Sequence, residues 1–560
     1  MDTPELSLTS PVVDSRSDPA FPTLTPQQIA RIAVRGRRRA TMRGEVLVEV
    51  GDRPVPFFVI VSGELAALRP VGTKETLIVI QHAGQFTGEG TMISGRRSLA
   101  RLRINEPGEV IELAHDQLQA LIQTDADLSE ILMRAFIQRR LKLIAGDMGD
   151  VVVIGSMHNS GTLRVREFLT RNGHPFQYLD LDRDRDAQDM LDHFQVDVTD
   201  IPVLICRSKA VLRNPTNGQV ADCLGFNEEI DQTRVCDLVV VGAGPAGLAA
   251  AVYGASEGLD VLVLESNVPG GQAGSSSRIE NYLGFPTGIS GLDLTGRAYA
   301  QALKFGAHVM VAKGATRLGC DTQRYTVDID GGPRIRARAI IIATGAEYRK
   351  PSIENLSAFE GSGVYYGATP MERSLCEGEE VAIVGGGNSA GQAAVFLAAT
   401  VRRVHVLVRG SGLAETMSRY LIRRIEENPA IVLHAHTQIV GLAGNGKLER
   451  IRWRNDQTGE LESRDIGHLF MMTGAVPNTG WLEGCIALDE KGFVKTGPDL
   501  SAEELARRSW PLARSPFLLE TSRPGIFAVG DVRAGNVKRV ASAVGEGSIA
   551  VALVHQVLRQ

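Results

Sequence analysis

At 560 residues, with 65 acidic against 60 basic side chains and 43% hydrophobic content, the chain is too long for one core and close to neutral. That balance argues against a nucleic-acid or other polyanion partner, and no apolar run approaches the length of a membrane span. The opening MDTPELSLTSPVVDSRSDPAFP lacks a basic start followed by an apolar stretch, so residues 1–24 read as a flexible lead-in rather than a secretory signal. Cys206, Cys223, Cys236, Cys320, Cys376 and Cys485 form no CxxC and no metal-ligand spacing, which predicts no metal site and a reduced, cytoplasmic protein.

Residues 25–145 run as short strand-like pieces broken by Gly turns (RGEVLVEVGD, PFFVIVSGELAAL, ETLIVIQHAGQF, ARLRINEPGEVIELA), which predicts an antiparallel roll or barrel. Leu128, Ile131, Leu132, Phe136 and Leu141 then recur at helical spacing. Residues 150–225 restart with the buried-type strand VVVIG. The helix GTLRVREFLTRNG follows, then the strand FQYLDLD, a further helix and IPVLICRS, a βαβαβ order for a small α/β domain. From Cys236 onward two strand–Gly loop–helix units stand in one chain. They predict a nucleotide domain over 236–350, a second inserted over 351–468, and the return of the first over 469–560.

In CDLVVVGAGPAGLAAAVYGASEGLDVLVLES each residue has a physical task. Gly242 permits the tight turn, Gly244 lets a pyrophosphate approach the backbone, and Gly247 lets helix and strand pack closely. The helix N-terminus offers free N–H groups to phosphates, and Glu265 stands where a carboxylate accepts from an adenosine ribose. In EEVAIVGGGNSAGQAAVFLAATVRRVHVLVRG, Gly385, Gly387 and Ala390 repeat the pattern. Its second strand ends in Arg409, which suits the 2′-phosphate of NADPH better than the hydroxyl of NADH. Arg419, Arg423 and Arg424 follow and read first as surface helix residues.

Residues 236–560 resemble the low-molecular-weight thioredoxin reductase family. GGQAGSSSRIENYLGFP, with Gly271, Gln272 and Asn281, resembles its flavin-side stretch, and ATG ending at Gly345 resembles its crossing between domains. TSRPGIFAVGDVR, with Gly530 and Asp531, resembles its second FAD motif, and RVASAVGEGSIAV its closing helix. The resemblance implies FAD in the first site and NADPH in the second. One departure matters. Where the family carries its redox CxxC this chain reads YYGATPMERSLCEG, so Gly367 and Pro370 replace both cysteines and no catalytic dithiol can be named. Cys376, six positions on, has no resolving partner.

The middle segment resembles the thioredoxin/glutaredoxin fold, with Ile201-Pro202 at the expected cis proline. SMHNSGT takes the place of its CxxC, which leaves a docking role. The first segment resembles cyclic-nucleotide-binding domains, with Gly88, Glu89, Arg97 and Ser98 matching the phosphate cassette by type. VVVIGSMHNS follows at once in place of a helix-turn-helix, which argues against a transcription factor. The expected fold is therefore a β-roll, a small thioredoxin-like α/β domain and two Rossmann-like α/β domains.

Three functional readings stay open. One is an enzyme passing hydride from NADPH to FAD and on to a small redox protein, a quinone, dioxygen or an external partner's thiols. Another is a sensor that answers a cyclic nucleotide or redox state with weak catalysis. The last is a thioredoxin reductase working through other cysteines. A homodimer is the assembly considered.

Overall fold

The computed structural model describes residues 13–15, 18–71, 74–89, 92, 95–145, 151–157, 159–182, 200–206, 210–320, 325–332, 334–482 and 484–560. Two compact units emerge. The first takes residues 1–155, 172–228 and 300–308, and the second residues 156–171, 229–299 and 309–560. The segment read as one thioredoxin-like domain over 150–225 is thus divided, because its helix Ser160–Arg171 belongs with the second unit.

In the first unit the long strands Phe57–Val71 and Arg101–Leu113 pair antiparallel with register shifts that bend the sheet into a roll. Lys74–Gln81 and Val46–Val48 complete the strands expected from the Gly-spaced pattern. A further strand, Arg37–Thr41, pairs with Arg101–Leu113. Its RRRAT sequence hides it as a strand, but Glu112, Glu109 and Glu45 give the three arginines carboxylate partners. Helix Ala126–Ala145 buries Leu128, Leu132 and Phe136 against the roll, while the side chain of Leu141 lies outside the described residues.

The flexible lead-in expected over 1–24 is corrected where it is described. Val13–Asp14 pairs in parallel with Lys74–Gln81, and Ala20, Phe21 and Leu24 join the core. Apolar side chains able to bury outweigh the ordering cost of the chain between the prolines.

The thioredoxin-like sheet runs Ala210–Arg213, Val203–Cys206, Val151–Gly155, Gln177–Asp180. Its central pair is antiparallel and the Ile201–Pro202 bond is cis. The further helix expected between these strands lies outside the described residues.

In the second unit Val261–Glu265, Val235–Val241, Arg334–Ile342 and Ile526–Ala528 lie side by side in parallel. These Val/Ile runs are buried on both faces, as helix-covered parallel strands require. A second parallel sheet comprises Val364–Tyr365, His468–Met471, Glu380–Val384, Arg403–Leu407 and Ile431–His434. The chain passes between the two through a ribbon of Ala346–Tyr348 against Ala475–Pro477.

Two composition-based expectations change. Helix Val540–Leu558, 19 residues, is long and apolar enough to cross a membrane by length and composition, which the sequence reading missed. Ala543, Gly547, Ala550, Val551 and Val554 are buried, and a Cβ on Gly547 would stand 2.3 Å from the Ala246 carbonyl oxygen, so one face of the helix packs against helix Pro245–Ser256. The expectation of uniformly reduced cysteines also fails. Cys320 and Cys485 form a disulfide with Cα atoms 6.1 Å apart and a sequence separation of 165, a pairing that no local spacing could signal.

Candidate functional site: a dinucleotide cavity

The ends of the parallel strands of the second unit open onto a cavity of about 710 Å³. Gly242, Gly244, Glu265, Gly271, Gln272, Asn281, Gly345, Gly530 and Asp531, all selected from sequence, line it. The glycines divide by task. Gly242 has φ +106 and a Cβ there would sit 2.3 Å from the Ala343 carbonyl oxygen. At Gly247, which does not line the cavity, a Cβ would sit 1.8 Å from the Gly242 carbonyl oxygen, so helix and loop touch backbone to backbone. Gly244 caps helix Pro245–Ser256 and its missing side chain leaves room, with the nearest atom, the Cα of Gly271, at 3.9 Å. An anion can therefore approach the helix's first N–H groups there.

Glu265 ends its strand buried. One carboxylate oxygen accepts from Ala243 N at 2.8 Å, the other from Asn267 N at 2.8 Å. Burial pushes its carboxyl above the usual range, against the pull of those N–H groups and of the Arg171 charge. Asp531 is likewise raised, by burial first, with Lys538 opposing and Glu546 adding to the shift. Glu546 is a residue the motif reading missed. It accepts from Gly530 N at 2.7 Å, Arg533 at 2.6 Å and Asn536 at 2.8 Å, and so fixes the turn that presents Asp531. Its place in GEGS gives no sequence signal of that role.

The helix after the second loop reaches the same cavity, whereas Gly385, Gly387 and Ala390 do not line it. Gly387 caps helix Asn388–Leu397, whose Asn388, Ser389 and Gln392 line the cavity beside Tyr348. Gly385 has φ +143 with a Cβ position 2.4 Å from the Met472 carbonyl oxygen, and Ala390 is fully buried. Arg409 lies exposed just beyond strand Arg403–Leu407, away from the cavity lining. Of the arginines after it, Arg424 pairs with Glu280 at 2.7 Å and Arg423 with Glu427 at 2.9 Å. Thr344 and Asn478 exchange hydrogen bonds at 2.8 and 3.0 Å where the chain crosses between the sheets, and Gln272 donates to the Ala346 carbonyl.

Gly367 faces the site, since a Cβ on it would lie 3.9 Å from Ser275, itself part of the lining. Pro370 opens the helix Pro370–Leu375. Cys376 is fully buried and hydrogen-bonded to the carbonyls of Glu372 and Arg373, and burial pushes its thiol up to about 12. Such a thiol is no nucleophile at neutral pH. Neither Cys320 nor Cys485 lines the cavity.

Residues 236–547 match the pyridine nucleotide-disulphide oxidoreductase family. The chain belongs to that family. It is 30% identical over 331 residues to the thioredoxin reductase of Bacillus subtilis, covering 59% of this chain and 97% of the relative. It is 32% identical over 361 residues to NADPH-dependent thioredoxin reductase 3 of Arabidopsis thaliana, covering 61% of this chain and 63% of that one. The crystal structure of Lactococcus lactis thioredoxin reductase in its FR conformation aligns with TM-score 0.52 at 26% identity, over 58% of this chain and 100% of that one. The protein is accordingly an FAD-dependent NAD(P)H oxidoreductase of thioredoxin-reductase type, and the open cradle at Gly244, at the N-terminus of helix Pro245–Ser256, fits a dinucleotide phosphate.

Residues 38–125 match the cyclic nucleotide-binding domain family. In that domain Gly88 has φ +101 and its carbonyl accepts from Arg139 at 2.7 Å, while Glu89 pairs with Arg140 at 3.0 Å. Ser98 is buried and donates to the Ala100 carbonyl at 2.8 Å. Arg97 does not turn toward Glu89's partners but lies against Gly225, whose Cβ position is 3.1 Å from the Arg97 Nε. Gly88, Glu89 and Ser98 thus each make hydrogen bonds within the chain, while Glu89 Oε1 stays buried with no partner among the described residues.

Proposed function

We propose that this protein oxidises NADPH through FAD and delivers the electrons to an acceptor other than a dithiol of its own. Carrying the reading is Gly367, which stands beside cavity-lining Ser275 where the family's thioredoxin reductases place a redox cysteine. Bound FAD would supply the two-electron acceptor for hydride from NADPH. The chain's own part is placement. Gly242, Gly244 and Gly247 set the first loop, Glu265 would hold a ribose and Asp531 the linker of the dinucleotide, and Gly385, Gly387 and Ala390 set the second loop, where Arg409 would take a 2′-phosphate. No acid or base of the chain is needed for hydride transfer.

Quinones, dioxygen and small electron-transfer proteins are the acceptors to screen. Anaerobic mixing with NADPH should bleach the flavin absorbance rapidly, while added thioredoxin disulfide stays oxidised. Thioredoxin reduction that vanishes in C376S or C485S would overturn the reading in favour of reduction through other cysteines.

A second reading is favoured by the match over residues 38–125: a cyclic nucleotide acts as effector at Gly88, Glu89, Arg97 and Ser98. Arg140 holds one oxygen of Glu89 and the other, Oε1, is buried with no partner among the described residues; a domain kept only as an interaction platform is the alternative. Calorimetric titration with cyclic AMP and cyclic GMP, against flavin reduction rate, tests it. Heat of binding with an accelerated rate would establish the effector role, and no heat with either nucleotide would end it.

A further inference from the structure

Helix Ser160–Arg171 precedes the segment 236–547 that matches the family, yet its last residue lines the dinucleotide cavity. The Arg171 side chain is only 10% exposed. Its Nη2 donates to the carbonyls of Gly271 at 2.6 Å and Pro269 at 3.3 Å, and its Nη1 to Glu167 at 3.1 Å. Its Nε is buried with no acceptor among the described residues. Close approach is possible because position 274 is glycine, where a Cβ would stand 2.8 Å from Nη2.

A guanidinium offers five N–H donors, and three of those contacts are made here. Among the described residues the carboxylate ion-paired with it is Glu167, 46% exposed, while the buried Glu265 feels its charge without pairing with it. Burying a cation with an orphaned donor is costly unless an anion completes the site. The geometry says where that anion sits. Arg171 grips the carbonyl of Gly271, and Gly271 abuts Gly244, with a Cβ on Gly271 only 3.0 Å from the Gly244 Cα. Gly244 is the opening through which phosphate reaches the helix N-terminus.

We propose that Arg171 is a pyrophosphate ligand of the bound dinucleotide, supplied to the FAD site by helix Ser160–Arg171. The helix thereby acts as part of the flavin site, in keeping with SMHNSGT in place of CxxC at its start. The proposal rests on the reading of this cavity as the FAD site.

The test uses the full chain stripped of flavin and titrated with FAD, with ADP and adenosine as competitors. R171Q should weaken FAD binding by about 10- to 100-fold, the span expected for a charge-assisted hydrogen bond. It should also lower the preference for ADP over adenosine by about tenfold or more, which a mere support of the 269–271 carbonyls would not do. FAD affinity within about twofold of the unsubstituted chain, or an unchanged ADP preference, overturns the proposal. Should R171Q fail to fold, the phosphorus NMR shifts of FAD bound to R171K decide: displaced resonances support contact and unchanged ones refute it. An unsubstituted chain that takes up no FAD refutes the underlying reading instead.

Discussion

Gly247→Ala isolates the contact between the first helix and its loop. The added methyl would lie 1.8 Å from the Gly242 carbonyl oxygen, 2.9 Å from its carbon and 3.3 Å from the Ala343 Cβ. Two of the three neighbours are backbone, so no rotamer change relieves the clash, and helix and loop must part by roughly 1 Å or more in a close-packed interior. Overpacking of this kind costs about 1–3 kcal/mol, and the strain falls on the turn that presents Gly244 to phosphate. The expected result is a lower melting temperature together with a markedly lower ratio of flavin to protein absorbance after purification. Gly296→Ala is the matched control. Gly296 lies within helix Gly291–Lys304 with nothing within 4 Å of its Cβ position, so alanine should stabilise by about 0.4–1 kcal/mol through lost unfolded-state entropy. A G247A protein with unchanged flavin content and melting temperature would refute the packing argument.

Three further outcomes are expected. Arg409→Ala should reduce kcat/KM for NADPH relative to NADH by about tenfold or more in a steady-state assay of both nucleotides, through loss of a charge-assisted contact with the 2′-phosphate. In the native protein at pH 8, maleimide should leave Cys376 and Cys236 unmodified by mass spectrometry and label both after denaturation, because burial pushes their thiols up to about 12 and about 11. Glu75, hydrogen-bonded by Arg101 at 2.5 Å and Arg103 at 2.6 Å, feels burial raising its carboxyl, but these arginines outweigh it and hold the group below its ordinary 4.5. Its stabilisation is therefore present above pH 4.5 and lost as pH falls through the lowered value. Melting temperatures of E75Q should fall short of the native protein at pH 7 and converge with it in acid.

Motif chemistry was readable wherever a residue type is forced by backbone geometry. The two Gly loops, their helices and the acid at Glu265 emerge from strand–turn–helix order alone, since only glycine fits φ +106 at Gly242 or the contact at Gly247. Residues acting across large sequence distances were not readable. Arg171 reaches a loop 100 residues away, Cys320 meets Cys485 across 165, and Glu546 in a small-residue helix props the Gly530 turn. Strand Arg37–Thr41 escaped because its arginines look solvated until the facing glutamates are known. The N-terminal stretch misled for the opposite reason, with polar and proline-rich composition masking the few apolar anchors Ala20, Phe21 and Leu24.

The ribbon of Ala346–Tyr348 and Ala475–Pro477 brings the way into the inserted nucleotide domain and the way out of it side by side, with Asn478 N 3.1 Å from the Gly345 carbonyl oxygen. A module whose two ends meet so closely behaves as a cartridge: splicing across them removes it without stretching the host sheet. The host module without its insert is therefore a single deletion away, and evolution or an engineer could fit another domain through the same doorway.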